Sequence, residues 1–239
     1  MNPLKNAGLR VGTVAIAALL SLGAEIAVAE PKTPPTTPQT PEGHQTEGDR
    51  QLSLASQRLD EAENAETSAK QREAYLAAER HSERAVELLP ESADAHFLHF
   101  AARGRLAQMQ GLALGAVQLP SLQRELDLVL ELNPDHADAL GSRGGMLVKL
   151  PFLLGGNVPE GIRLLRRALE LDPQSIGKRL ELAEAYNIDE KTVQAASMVA
   201  EARKLADASG STREQESVRK FAEALQKSCS GCAVEILAR

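Results

Sequence analysis

An all-α solenoid of stacked helical hairpins is the fold that this 239-residue sequence predicts, and three observations predict it. One segment is written three times: Ala85-Val-Glu-Leu-Leu-Pro90, Val129-Leu-Glu-Leu-Asn-Pro134 and Ala168-Leu-Glu-Leu-Asp-Pro173. Two of these run on into matching starts, Ser92-Ala-Asp-Ala-His96 and His136-Ala-Asp-Ala-Leu140, so the recurrence of about 40 residues is that of hairpins that stack. The residues before each proline have helical spacing: Ile162, Leu165, Ala168, Leu169 and Leu171 share one side, and Arg163, Arg166, Arg167 and Glu170 take much of the other.

Each element follows from local chemistry. Residues 1–29 read as an export leader, with Lys5 and Arg10 ahead of an apolar stretch at 11–22 and Ala27-Val-Ala29 as a small-residue cleavage site. The apolar stretch is short for a membrane span, and Glu25 follows it, so an uncleaved anchor is the lesser alternative. Residues 30–49, rich in Pro, Thr, Gln and Glu, lack the apolar surface to fold and read as a disordered linker. A solenoid of about four hairpins is expected over 50–228. Its first hairpin has helices at 52–65 and 70–89, and the first three copies are each stopped by proline, which has no N–H and forces its predecessor out of the α region. Asn133, Asp135 and Asp172 suit the turns and the caps of the following helices. Ser211-Thr-Arg-Glu214 is a capping box opening a terminal helix whose apolar face is Val218, Phe221, Ala222 and Leu225. Such a capping helix covers the last repeat.

The spacing resembles the tetratricopeptide repeat, whose second helix carries a small, a large apolar and a small residue and closes with proline about five residues later. Counted back from the prolines, those slots hold Ala78, Ser82 and Ala85, then Leu122, Leu126 and Val129, then Gly161, Leu165 and Ala168. Leu140 and Gly144 take the bulky and small slots in the first helix of the third copy. A fourth copy has Leu182, Ala183 and Tyr186 in its first helix and Ala195, Val199 and Ala202 in its second, with Asp207 where proline would stand. The chain departs from the family in having no Trp, and in His96, His99 and Phe100 at slots that prefer other types. It also departs in length, because the family unit is about 34 residues.

The surplus falls in two apolar inter-helix segments, 111–120 with Leu112 and Leu114, and 150–156 with Phe152 and Leu154. Either they pack together and extend the core, or they form an apolar rim for a partner. The Pro-x-x-x-Gly-Gly element at 151–156 looks like a subgroup that includes the periplasmic T component associated with TRAP transporters. That resemblance implies an accessory to transport binding a small organic acid or apolar ligand.

The repeat resemblance also implies that first helices line a groove, through Phe97, Ala101, Gly104 and Arg105, then Gly141, Gly145, Val148 and Lys149, then Leu180, Glu184 and Asn187. The small residues either open that groove or let helices pack closely. If the groove is open, Arg105 and Lys149 suit a carboxylate.

Other chemistry is sparse. Cys229-Ser-Gly-Cys232 reads as a local disulfide, with a redox or partner-linking pair and half a metal site as alternatives. His96 and His99 lie one turn apart near Asp94, as in some metal sites and more often on packed helix faces. No catalytic set emerges and no cofactor is expected. The formal charge of −6 and the absence of a basic stripe argue against nucleic acid. The expected function is an exported scaffold binding a protein or peptide, meeting membranes only through a partner or an uncleaved leader. The alternatives are the small-ligand accessory and thiol–disulfide exchange.

Overall fold

The computed structural model describes residues 41–228, so the leader, most of the linker and the Cys229–Cys232 pair lie outside the described residues. The described chain is an all-helical, TPR-like solenoid. Its helices are α1 (Pro41–Glu63), α2 (Ser68–Leu88), α3 (Ala93–Met109), α4 (Leu112–Leu132), α5 (Ala137–Lys149), α6 (Val158–Leu171), α7 (Ile176–Ile188), α8 (Thr192–Ser209) and α9 (Thr212–Ser228). Successive helices pack on one another, and α1 on α3, α5 on α7 and α7 on α9 add the next-but-one contacts of stacked hairpins. Among the described residues, no helix is long and apolar enough to cross a membrane.

The repeated stop works as its chemistry requires. Leu89, Asn133 and Asp172, each preceding a proline, leave the helical region, with φ/ψ of −129°/63°, −141°/95° and −131°/76°. The cap of the next helix always falls two residues after the proline: Ser92, His136 and Ser175 accept from the amides of Ala95, Ala139 and Lys178. The acidic and amide residues beside the prolines were expected to suit the turns and the caps of the next helices: Asn133 does serve its turn, accepting from Asp135 N at 3.1 Å, whereas the caps are taken by the residues just named. Half of the expected capping box is present: Glu214 N donates to Ser211 Oγ, while the Glu214 carboxylate takes the Ser209 hydroxyl.

The repeat slots form the core. Ala78, Ser82, Ala85, Leu122, Leu126, Val129, Gly161, Leu165, Ala168, Ala195, Val199 and Ala202 are all buried.

Two boundaries differ from expectation. First, α1 starts at Pro41, so residues 41–49 are helix rather than linker. Proline suits a first helical position, and Glu47 adds one-turn pairs to Arg50 and Gln51, both at 2.7 Å. Gln51 also meets His81 Nδ1 at 2.7 Å, and the bare backbone of Gly48 lies against Leu89, so the third turn of α1 is held by α2 and the residue that ends it. Second, residues 112–120 are not a loop but the opening turns of α4, with Pro120 inside the helix. The break occurs earlier, at Gly111, whose φ of +86° is costly for any side chain. Segment 150–156 is the irregular one, a single 3₁₀ turn at Phe152–Leu154 closed by Gly155 at φ +88°.

Histidines join the second copy. His96 Nδ1 and His99 Nδ1 lie 2.9 and 3.3 Å from Glu125 Oε1 on α4, and His96 Nε2 lies 2.9 Å from the Pro90 carbonyl. They serve a packed face, with Asp94 turned instead to His136 at 3.2 Å. The hydrogen bond from His99 is the main reason that the Glu125 carboxyl sits at about 2; His96 and the imidazole charges add to it against the opposing effect of burial. A depressed carboxyl contributes stability above its unfolded pKa and loses it as pH falls through the folded value. Wild type is therefore expected to lose about 1–3 kcal/mol between pH 4.5 and 2 that Glu125→Gln does not lose. Urea titrations of both proteins across that range test this, and parallel acid profiles would refute it.

Candidate functional site

A groove of about 380 Å³ runs across the first helices of three hairpins. Helix α3 presents Phe97, Phe100, Ala101, Gly104 and Arg105, while α5 presents Gly141, Gly145, Val148 and Lys149. Helix α7 adds Glu181 and Glu184. Of the residues singled out from sequence, Phe97, Arg105, Gly145 and Lys149 therefore come together. Asn187 does not line this groove and stands at the end of α7, where its carbonyl accepts from Glu190 N. Leu180 is turned away as well, buried with Val199 and Val218 between α7, α8 and α9.

The glycines separate into two kinds. A methyl group built on Gly104 or Gly145 meets nothing within 4 Å, so these two form open floor. One built on Gly144 would stand 2.8 Å from the Gly161 carbonyl oxygen, and one on Gly161 would stand 2.7 Å from that of Gly144. Of the groove glycines, Gly104 and Gly145 thus take the open alternative, while the close packing falls on the neighbouring Gly144, the small slot of the repeat.

The electrostatics differ from the expected cationic pocket. Lys149 Nζ lies 2.9 Å from Glu184 Oε2. Arg105 lies 3.6 Å from Glu63, which also pairs with Arg213 at 3.7 Å. Arg213 reaches Asn64 Oδ1 at 2.6 Å, so the start of α9 meets the turn after α1. Each expected cation has a carboxylate partner, because the solenoid brings α1 and α7 to the groove. Glu181, which sequence reasoning missed, opens to solvent at the groove mouth, yet the surrounding protein desolvates its carboxyl and raises it above the ordinary value. Lys149, Lys178 and Arg105 oppose that rise and Glu184 adds to it. Lys178 itself is buried and held by Asp138 at 2.6 Å and Asp172 at 2.9 Å, joining α5, α6 and α7.

At the adjoining turn, Phe152, Leu153 and Leu154 are 88%, 92% and 52% exposed, which excludes core completion for this segment. Gly156 has no room for a side chain against the Leu150 carbonyl, and Asn157 N bonds to the Leu147 carbonyl at 2.8 Å, pinning the turn to α5. The side chains of Leu112 and Leu114 lie outside the described residues, and on the same helix Val117 is 78% exposed.

Fold and groove together define a helical-repeat protein of TPR-like architecture. No family model matches the chain, and no curated protein matches it. Among solved structures it is similar to one described as the functional characterization of Pseudomonas aeruginosa PilF, at 20% identity over 79% of each chain with a TM-score of 0.49. The TRAP-associated resemblance of the 151–156 element finds no support in these comparisons.

Proposed function

We propose that this chain is a protein-interaction scaffold that takes a partner segment into the groove across α3, α5 and α7, with the exposed turn at Phe152–Leu154 as an apolar rim. The observation that carries this reading is the open floor at Gly104 and Gly145, beside apolar side chains that none of the described residues covers. A small organic acid is the poorer fit, since Lys149 and Arg105 already face Glu184 and Glu63. The leader-like residues 1–29 favour an exported scaffold, and a mature chain beginning near Glu30 is the corresponding expectation.

The groove can be filled without disturbing the core. Gly145→Leu starts from a Cβ with nothing within 4 Å, directs its side chain into the groove and removes a helix glycine, so stability is expected to be unchanged or higher by up to about 1 kcal/mol. Partner proteins recovered from extract by the wild type and quantified by mass spectrometry are expected to be lost with this variant. Leu153→Ser is expected to leave stability within about 0.5 kcal/mol and to weaken the same capture. Identical partner recovery by wild type and Gly145→Leu would end the groove reading, and an intact N-terminus on membrane-bound cellular protein would end the cleavage reading.

A further inference from the structure

We propose that the groove selects a partner segment carrying a basic side chain, Lys or Arg, and that Glu181 is the residue that receives it. This rests on the scaffold reading above and adds the chemistry of the partner.

The charge inventory of the groove leaves one group over. Lys149 is closed on Glu184 at 2.9 Å, and Arg105 faces Glu63 at 3.6 Å. Among the described residues the Glu181 carboxylate makes no hydrogen bond and no ion pair, although it feels the fields of Lys149, Lys178, Arg105 and Glu184. Its Oε2 lies 3.6 Å from the point where a Cβ on Gly141 would be, so the carboxylate overlies bare helix backbone. Beside it the floor at Gly145 and Gly104 is empty to 4 Å, leaving a passage for a long, thin side chain. Phe97, Phe100, Met146 and Val148 provide apolar wall.

A lysine or arginine side chain matches that outline, because its methylene stem packs on apolar surface while its head stays at the polar end. An apolar side chain would leave Glu181 further desolvated and unpaired, and an acidic one would add repulsion. In the free protein burial already pushes the Glu181 carboxyl up, a cost that an incoming cation relieves. The net charge of −6 favours the approach of such a partner at long range.

The test uses the full chain and fluorescein-labelled, end-capped heptapeptide pools, random except for a central Lys, Arg, norleucine or Glu. Wild type is expected to bind the Lys or Arg pool about tenfold more tightly than the norleucine pool, and the Glu pool most weakly. In Glu181→Gln that preference should fall to about twofold, with norleucine binding and the melting temperature unchanged. Lys149→Met, which frees Glu184, should strengthen binding of the Lys pool by about threefold. Equal binding of the Lys and norleucine pools to wild type, or a basic preference that survives Glu181→Gln, overturns the assignment. Both outcomes leave the scaffold reading intact if the pools still lose their grip on Gly145→Leu. Tightest binding of the Glu pool, weakened by Lys149→Met, overturns the assignment in favour of an acidic ligand. No binding of any pool overturns the assignment, and unchanged partner recovery by Gly145→Leu would separately remove the scaffold reading.

Discussion

Gly161→Val is expected to destabilise the protein by about 3 kcal/mol, the upper end of what overpacking a well-filled core costs. At this point α5 and α6 touch backbone to backbone. The first carbon added to Gly161 would stand 2.6 Å from Val148 Cγ2, 2.7 Å from the Gly144 carbonyl oxygen and 3.2 Å from Val148 N. Val148 Cγ2 could rotate aside, but the carbonyl and amide belong to helix backbone and move only if the helices separate. Separation would expose Leu165 and Leu182, which are fully or almost fully buried. Urea unfolding should show a lower midpoint at unchanged slope. Gly145→Ala is the matched control, one residue from Gly144 yet facing open space, and should be neutral or stabilising by up to about 1 kcal/mol. A Gly161→Val protein that unfolds with the wild type would show that α5 and α6 are not in backbone contact.

Leu165→Ala is expected to cost about 3–5 kcal/mol, as for a fully buried leucine whose surroundings cannot collapse. Leu165 packs with Val148, Ile162, Leu182 and Ala185, and it fills the space over Gly144, whose added Cβ would meet Leu165 Cγ at 2.8 Å. This contact makes the two positions non-additive. Combining Gly144→Ala with Leu165→Ala should recover about 1 kcal/mol relative to the sum of the single losses, because the new methyl group enters the vacated volume. Recovery stays partial, since the Gly161 carbonyl oxygen at 2.8 Å is an obstacle that truncating Leu165 does not remove. Strict additivity in a double-mutant cycle would show that the two residues do not share that space.

How far the sequence reaches follows the range of the forces involved. It determined by itself the helix stops at Leu89, Asn133 and Asp172, because a proline restricts its neighbour through sterics one bond away. It also determined the buried rows from Ala78 to Ala202, because burial at 3.6-residue spacing is written into the order of side chains. Phe97, Arg105, Gly145 and Lys149 were legible as one set because a repeat puts equivalent slots on equivalent faces. It did not determine that 112–120 winds into α4: the Gly and Pro there looked like loop residues, and which one breaks the chain depends on local φ, positive at Gly111. The repeat register put Gly144 in a small slot and Gly145 in the groove, but only the tertiary structure decided that the first is a backbone contact and the second open floor. Gly144 and Gly145 are the same residue side by side, and the difference lies in where α6 crosses. Only the tertiary structure, likewise, turned an expected cationic pocket into one with a spare carboxylate. Arg105 meets Glu63, Lys149 meets Glu184 and Arg213 meets Asn64 across separations that no local pattern encodes, so the charge left to Glu181 emerges from how the hairpins stack.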